Sequence, residues 1–376
     1  MLFKTRFQTK NSGTQYRTLW QCLHIDPYLL TSVLLLLSMG LLILYSAGNQ
    51  NLQVMQQQLL HIGFALFIMI LFAQITPTTY QRWAPWLYGL SLVLLVAVLI
   101  VGHIGKGAQR WLNLGILHLQ PSEMMKLAIP MCLAWQCHKL HLPISGKTIW
   151  QACVIILIPV VLTAKQPDLG TAILLAVAGA SVLFFAGLRF KVVAILSSVF
   201  VVFAPIAWHF MHTYQKQRVL TFFNPERDPL GTGYHIIQSK IAIGSGGFFG
   251  KGWLAGTQSH LHFLPEHSTD FIFAVCGEEF GFLGSIILII LFMLMIARGL
   301  YITMHAQDTF TRLLAGSLTL TTFVSFFINM GMVIGILPVV GIPLPLISYG
   351  GSSMVTFMAS FGILMSIQMH RKLLTT

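Results

Sequence analysis

Residues 28–47 read YLLTSVLLLLSMGLLILYSA, from Tyr28 to Ala47 without one charged side chain. About 20 apolar residues is the length at which an α-helix crosses the hydrocarbon of a bilayer, where every backbone N–H and C=O must be paired within the protein. The stretch reads as a spanning helix. Comparable runs lie near 59–75, 86–104, 123–138, 149–164, 171–188, 190–211, 271–297, 313–336 and 353–369. They account for the composition of all 376 residues: 56% hydrophobic, only 9% Asp, Glu, Lys or Arg, with a mean hydropathy of +0.77. An ordinary soluble domain carries roughly 25% charged residues. The expectation is an all-α integral membrane protein of about ten transmembrane helices, forming one polytopic domain over 1–376 with one large extracytoplasmic loop, 212–269. A secreted domain and a disordered regulator are excluded. Five cysteines without a CxxC pair indicate neither a disulfide framework nor a zinc site.

The net charge of +12 comes from 22 basic and 10 acidic residues. In a membrane protein such an excess speaks of topology rather than of nucleic acid. An even number of spans puts both termini on one side. Short segments of that side hold Lys4, Arg6, Lys10, Arg17, Arg82, Lys139, Lys147, Arg189, Lys191, Arg298, Arg312, Arg371 and Lys372, against Lys106, Arg110, Lys126 and Lys165 opposite. Positive charge marks the cytoplasmic side, so the expectation is a multi-pass inner-membrane protein with both termini, including segment 1–27, in the cytoplasm. The acids are one-sided as well: Glu123, Asp168, Glu226, Asp228, Glu266, Asp270, Glu278 and Glu279 fall at the outer face. Acids contribute little to orientation, which suggests instead a polar working surface there.

With so few acids, candidates for chemistry are few. Asp270 ends the run FLPEHSTD (263–270) directly before the apolar FIFA (271–274). Its position suits an N-cap, and equally a general base; the two are compatible. Glu123 and Lys126 stand three apart after Gln120-Pro121-Ser122 and share a helix face, as a self-neutralising pair at a helix start or as charges facing a cavity. Lys165-Gln166-Pro167-Asp168-Leu169-Gly170-Thr171 sets a base and an acid in a short turn that Pro167 and Gly170 alone would explain. Glu278 and Glu279, well inside a span, imply a hydrated cavity or a partly protonated structural pair. His260, His262 and His267 match no zinc spacing, and a loosely held Mg²⁺ shared with substrate phosphates fits the acids better.

Two irregular regions complete the pattern. Residues 231–252 are glycine-rich, and Ile236, Ile237, Ile241 and Ile243 around Lys240 form an amphipathic stretch expected to lie flat on the outer membrane surface. From Gly335 to Ser353 the chain is apolar, uncharged and broken by Pro338, Pro343 and Pro345. Such backbone at membrane depth has to be buried or line a cavity, so it is read as a re-entrant wall of a site.

Four motifs make the pattern specific: Arg110-Trp111-Leu112 followed by QPSEMMK (120–126); QPDLGT (166–171); FLPEHSTDFIFA (263–274); and ISYGGSS (347–353). Along essentially its whole length the chain resembles the bacterial shape, elongation, division and sporulation (SEDS) family of membrane proteins. GYHIIQSKIAIGSGG (233–247) and GKGWL (250–254) resemble its elongation members more than its division members. The resemblance implies a ten-helix inner-membrane glycosyltransferase that polymerises lipid II into β-1,4-linked glycan strands during elongation and rod-shape maintenance, releasing undecaprenyl pyrophosphate. It implies a class B penicillin-binding protein as crosslinking partner, and Asp270 as the essential acid. Arg110, Lys126, Lys165, Arg218 and Lys240 form the pool of cations for the pyrophosphates, and Gln120, Ser122, Glu123, Asp168, Gln258, Glu266 and Ser352 are further substrate-cavity candidates. A divalent cation, Mg²⁺ or Mn²⁺, is the one cofactor expected, with membrane lipid as surroundings. Two other readings remain open: a lipid II flippase, which needs a polar path reaching both faces, and a non-catalytic scaffold, for which Asp270 would be replaceable.

Overall fold

The computed structural model describes residues 4–5, 17–18, 23–105, 108–113, 118–138, 146–187, 213–224, 232–261, 263 and 266–371, with isolated positions 194, 198, 202, 205 and 209. Helices α1 (Pro27–Ala47), α2 (Leu52–Gln74), α3 (Pro77–Val101), α4 (Pro121–Cys137), α5 (Gly146–Lys165) and α6 (Leu169–Phe185) follow one another. The expected loop contains α7 (Thr213–Phe223), α8 (Thr232–Gly246) and α9 (Thr257–His260), and then come α10 (Ile272–Met304), α11 (Thr309–Ile334) and α12 (Gly351–Met369). Seven of these, α1, α2, α3, α5, α10, α11 and α12, are long and apolar enough to cross a membrane, and α6 is a shorter apolar helix. With α4 they occupy nine of the ten expected spans. The other, 190–211, lies outside the described residues.

Strands were not expected. Lys4–Thr5 (β1) pairs antiparallel with Arg17–Thr18 (β2), and His103–Gly105 (β3), Ala108–Asn113 (β4) and His118–Leu119 (β5) form a small antiparallel sheet between α3 and α4. Such short strands show no readable alternation in sequence. Two helices also start earlier than their apolar runs. Asn51 caps α2 through Gln53 N at 2.9 Å, and Pro77 at the first turn of α3 supplies a preset φ.

The bundle shows the inverted surface of a protein solvated by lipid. Leu60 (73% exposed), Trp86 (81%) and Val93 (66%) are exposed on α2 and α3. Inside, small residues let helices approach: Gly362 of α12 faces the carbonyl of Met69 on α2, and Gly179 of α6 faces Ile156 on α5. At the end expected to be cytoplasmic, buried Asp26 caps α1 through Tyr28 N and Leu29 N. The same carboxylate receives Arg298 from α10, Nη2 at 2.6 Å and Nε at 3.1 Å, and the guanidinium lies over the rings of Tyr28 and Tyr301.

The amphipathic stretch is a docked helix rather than one lying on the membrane. Ile236, Ser239, Ala242 and Gly246 form the buried face of α8. Ser239 Oγ donates to the Val333 carbonyl of α11 at 2.8 Å, and Gly246, lacking a side chain, lies against the carbonyls of Gly277 and Glu278 on α10. A flat amphipathic helix has one polar and one apolar side, whereas here the buried face is mostly small residues, Ser239, Ala242 and Gly246, that admit a neighbouring backbone.

The glycines have a further use. Helix α10 is broken at Gly281 (φ +65°, ψ −156°), a conformation that only glycine adopts without strain. The freed carbonyls of Glu278 and Glu279 accept from Lys251 N and Gly252 N, each at 3.0 Å, while Phe282 N and Leu283 N donate to the carbonyls of Gly247 (3.0 Å) and Phe248 (3.1 Å). The Gly246–Gly252 loop thus re-pairs the backbone that the break exposes, as a low-dielectric setting requires. Glu278 and Glu279 are buried beside this break and bonded to Lys251, Thr257, Ser46 and His260. Neither side chain lines the large cavity described next.

Candidate active site

At the end of the bundle where α4, α6, α10 and α12 begin, a cavity of about 540 Å³ opens. Nine of the sequence candidates line it: Arg110, Gln120, Glu123, Lys126, Asp168, Arg218, Glu266, Asp270 and Ser352. Four do not. Ser122 is buried within α4, and Lys165 is exposed at the end of α5. Lys240 is exposed, with its ammonium over Gly335 at the C-terminus of α11, where it meets the negative end of that helix dipole. Gln258 belongs to α9, beside Glu278.

One wall is built by exchanged caps. Gln120 occupies the N-cap of α4 without capping it, and its Nε2 instead donates to Asp168 Oδ2 at 3.2 Å. Asp168 caps α6 by accepting from Thr171 N at 3.2 Å, and its Oδ2 lies 3.7 Å from Arg110 Nε. From β4, Arg110 Nη2 donates to the Pro167 carbonyl at 2.5 Å. In the turn 165–171 the capping acid Asp168 also lines the cavity, whereas Lys165 does not. Gly170 is required here: a Cβ on it would stand 2.6 Å from the Val340 carbonyl of the irregular segment.

On α4, Lys126 Nζ meets Glu123 Oε1 at 2.6 Å, with both residues about 95% buried (5% and 6% exposed). The ammonium lies 5.8 Å from the centre of the Phe357 ring, and Glu123 Oε2 has no hydrogen-bond partner.

Asp270 is not the cap of α10. That position belongs to Phe271, and no side chain caps this end. Backbone contacts hold Asp270 instead: Asn329 Nδ2 of α11 donates to its carbonyl at 2.9 Å and to that of Ile342 at 2.7 Å. Ser348 Oγ donates to the Thr269 carbonyl at 2.6 Å, and Tyr349 N to that of Ser268 at 2.9 Å. The segment between α11 and α12 is therefore stitched along the approach to Asp270, and it lines the cavity at residues 339–343 and with Tyr349 and Gly350, as expected for a re-entrant wall. Gly341 (φ +74°) faces the carboxylate, since a Cβ there would stand 3.4 Å from Asp270 Oδ2.

Two residues escaped sequence reasoning. Asn329, fully buried in an apolar span, was visible as the one amide in FFINMGM (326–332). His235 was quoted only as part of a motif; it lines the cavity, stacked on Phe271 with centroids 5.7 Å apart. Burial pushes its imidazole below the ordinary value, opposed by the charge of Glu266 and reinforced by that of Arg218. Among the described residues no group of three His, Cys, Asp or Glu side chains is arranged to hold a metal ion.

A family model for cell cycle proteins, covering FtsW, RodA and SpoVE, matches residues 23–373. The chain belongs to this family. It is 52% identical over 360 residues to the peptidoglycan glycosyltransferase MrdB of Escherichia coli, covering 96% of this chain and 97% of that protein. It is 33% identical over 419 residues to the peptidoglycan glycosyltransferase RodA of Treponema pallidum, covering 91% and 97%. Among solved structures, a chain from work on polymerization and crosslinking by a peptidoglycan synthase complex superposes with a TM-score of 0.80 at 30% identity, over 92% of this chain and 99% of that one. The crystal structure of the rod shape determining protein RodA of Thermus thermophilus gives 0.69 at 27%, over 91% and 96%. For this FtsW/RodA/SpoVE family member, the coverage extends over the cavity and over every element that lines it.

Proposed function

We propose that this peptidoglycan glycosyltransferase polymerises lipid II in the 540 Å³ cavity with Asp270 as general base. The observation that carries the reading is the convergence, in one cavity, of Asp270 with Lys126, Arg110 and Arg218. The acceptor sugar 4-hydroxyl attacks the anomeric carbon of the donor, and the bond from that carbon to the phosphate oxygen breaks. The electron pair leaves with undecaprenyl pyrophosphate, the proton passes to the Asp270 carboxylate, and the new link is β-1,4 with inversion. Pyrophosphate leaves without protonation, so one carboxylate suffices where a glycosidase needs two. Lys126, Arg110 and Arg218 neutralise the leaving charge. A divalent cation, Mg²⁺ or Mn²⁺, fits beside the unpaired Glu123 Oε2, a hard oxygen donor, and when bound would neutralise pyrophosphate further.

The whole chain acts as one membrane domain, its termini cytoplasmic and the cavity facing the periplasm, in line with the distribution of basic residues. The partner is a class B penicillin-binding protein of the elongation machinery, which crosslinks the strands; the likeness to a chain from a peptidoglycan synthase complex supports this. Purified protein given lipid II, with and without that partner, should form glycan strands resolved on a gel, more of them with the partner. Translocation of lipid II across vesicles with no strands formed would make the protein a transporter instead.

A further inference from the structure

A second concentration of buried oxygens lies beside the break in α10, about 13 Å along the helix from Asp270 at 1.5 Å per residue. Glu278 commits Oε1 to Lys251 Nζ (2.7 Å), Thr257 N (2.8 Å), Thr257 Oγ1 (3.0 Å) and Gln258 N (3.1 Å), and its Oε2 has Gln258 N at 3.2 Å. Glu279 commits Oε1 to Ser46 Oγ, with His260 Nε2 at 3.4 Å, while its buried Oε2 has no hydrogen-bond partner. Beside them Ser259 is fully buried with its Oγ unpartnered, and so is the buried amide oxygen of Gln258. Gly256 shows which oxygens converge. A Cβ on it would stand 2.8 Å from Ser259 Oγ, 3.0 Å from Glu279 Oε1 and 3.2 Å from Glu278 Oε2, so the three nearest atoms are all oxygens.

Oxygens of two carboxylates and an unpaired buried hydroxyl gathered in one place, with Glu279 Oε2 left unpaired and a single ammonium nearby, describe a hard-cation site. We propose that Glu278, Glu279 and Ser259 hold a Ca²⁺ ion, with water completing its shell. The choice of ion follows from the donors. Ca²⁺ accepts six to eight oxygens in flexible geometry, which suits ligands from a short helix and a broken one, whereas Mg²⁺ demands near-octahedral rigidity. The ion would fasten α9 to the half-helix 272–280, whose other end carries Asp270. It would thereby position the catalytic acid without touching substrate.

The test is thermal unfolding of the purified full-length chain in detergent, stripped with chelator and then titrated separately with Ca²⁺, Mg²⁺ and Na⁺. Ca²⁺ should raise the midpoint saturably, by on the order of 3 °C. Ser259→Ala removes an unpaired buried hydroxyl, so its ion-free midpoint should equal or exceed that of the unsubstituted protein while the Ca²⁺ shift is lost. Gly256→Ala, which places a methyl among the three oxygens, should lose the shift as well. Asp270→Asn should keep it in full, separating this ion from any bound in the polymerisation cavity. Absence of a Ca²⁺ shift in the unsubstituted chain overturns the proposal. So does a shift that survives in Ser259→Ala and Gly256→Ala, one that vanishes in Asp270→Asn, or one produced by Mg²⁺ or Na⁺ but not by Ca²⁺.

Discussion

Replacing Asp270 with Asn separates chemistry from architecture, because the segment around this residue is held through its backbone. Asn329 bonds to the Asp270 carbonyl, Ser348 and Tyr349 bond to the carbonyls of Thr269 and Ser268, and Phe271 rather than Asp270 occupies the N-cap. The substitution keeps all of these and nearly keeps the side-chain volume, so its effect on stability should stay within about 0.5 kcal/mol. Basicity is what it removes. Loss of general-base catalysis slows a reaction by roughly 10² to 10⁴, equivalent to about 2.7 to 5.5 kcal/mol in the barrier. Glycan-strand synthesis from purified lipid II, followed on a gel beside thermal unfolding of both proteins, gives the two numbers independently. Strand synthesis at the unsubstituted rate by a well-folded Asp270→Asn protein would refute the assignment of Asp270 as base.

Gly281→Ala should cost about 1–3 kcal/mol for the positive φ alone, and more because its Cβ would press on the backbone of Gly250 and Phe248; lower yield and a lower unfolding midpoint check this. Lys126→Met strands the Glu123 carboxylate in a buried position and should destabilise by about 3–5 kcal/mol. Adding Glu123→Gln should recover most of that stability but none of the strand synthesis. His235, whose imidazole is held below the ordinary value, binds fewer protons folded than unfolded. Stability should therefore be unaffected by it above about pH 6.5 and fall as acidification proceeds through that value toward the depressed one. His235→Gln should lose this part of the dependence, measured as the unfolding midpoint against pH. A reporter fused within 213–223 should read as periplasmic, and a cytoplasmic reading would invert the orientation.

The membrane class, the positions of nine spans and most of the cavity lining were legible in the sequence, since each rests on a local signal. An apolar run of a given length has one outcome in a bilayer. An acid or base beside such a run is costly unless it serves something, which is why Glu123, Lys126, Asp168 and Asp270 stood out. Lys165 and Lys240 carried the same signal and lie outside the cavity, because a charge beside an apolar run announces itself without saying which way it points. Tertiary structure alone decided that Lys240 covers the end of α11, that Gln258 joins Glu278 rather than the cavity, and that the glycines of 244–252 pair the broken backbone at Gly281. It alone decided that Asn329 holds Asp270 against the irregular segment. The physical reason is one of range. Hydrophobic length, capping and charge cost are settled within a few residues, whereas hydrogen bonds that join residues 59 positions apart, as Asn329 and Asp270 are, leave no periodicity to read.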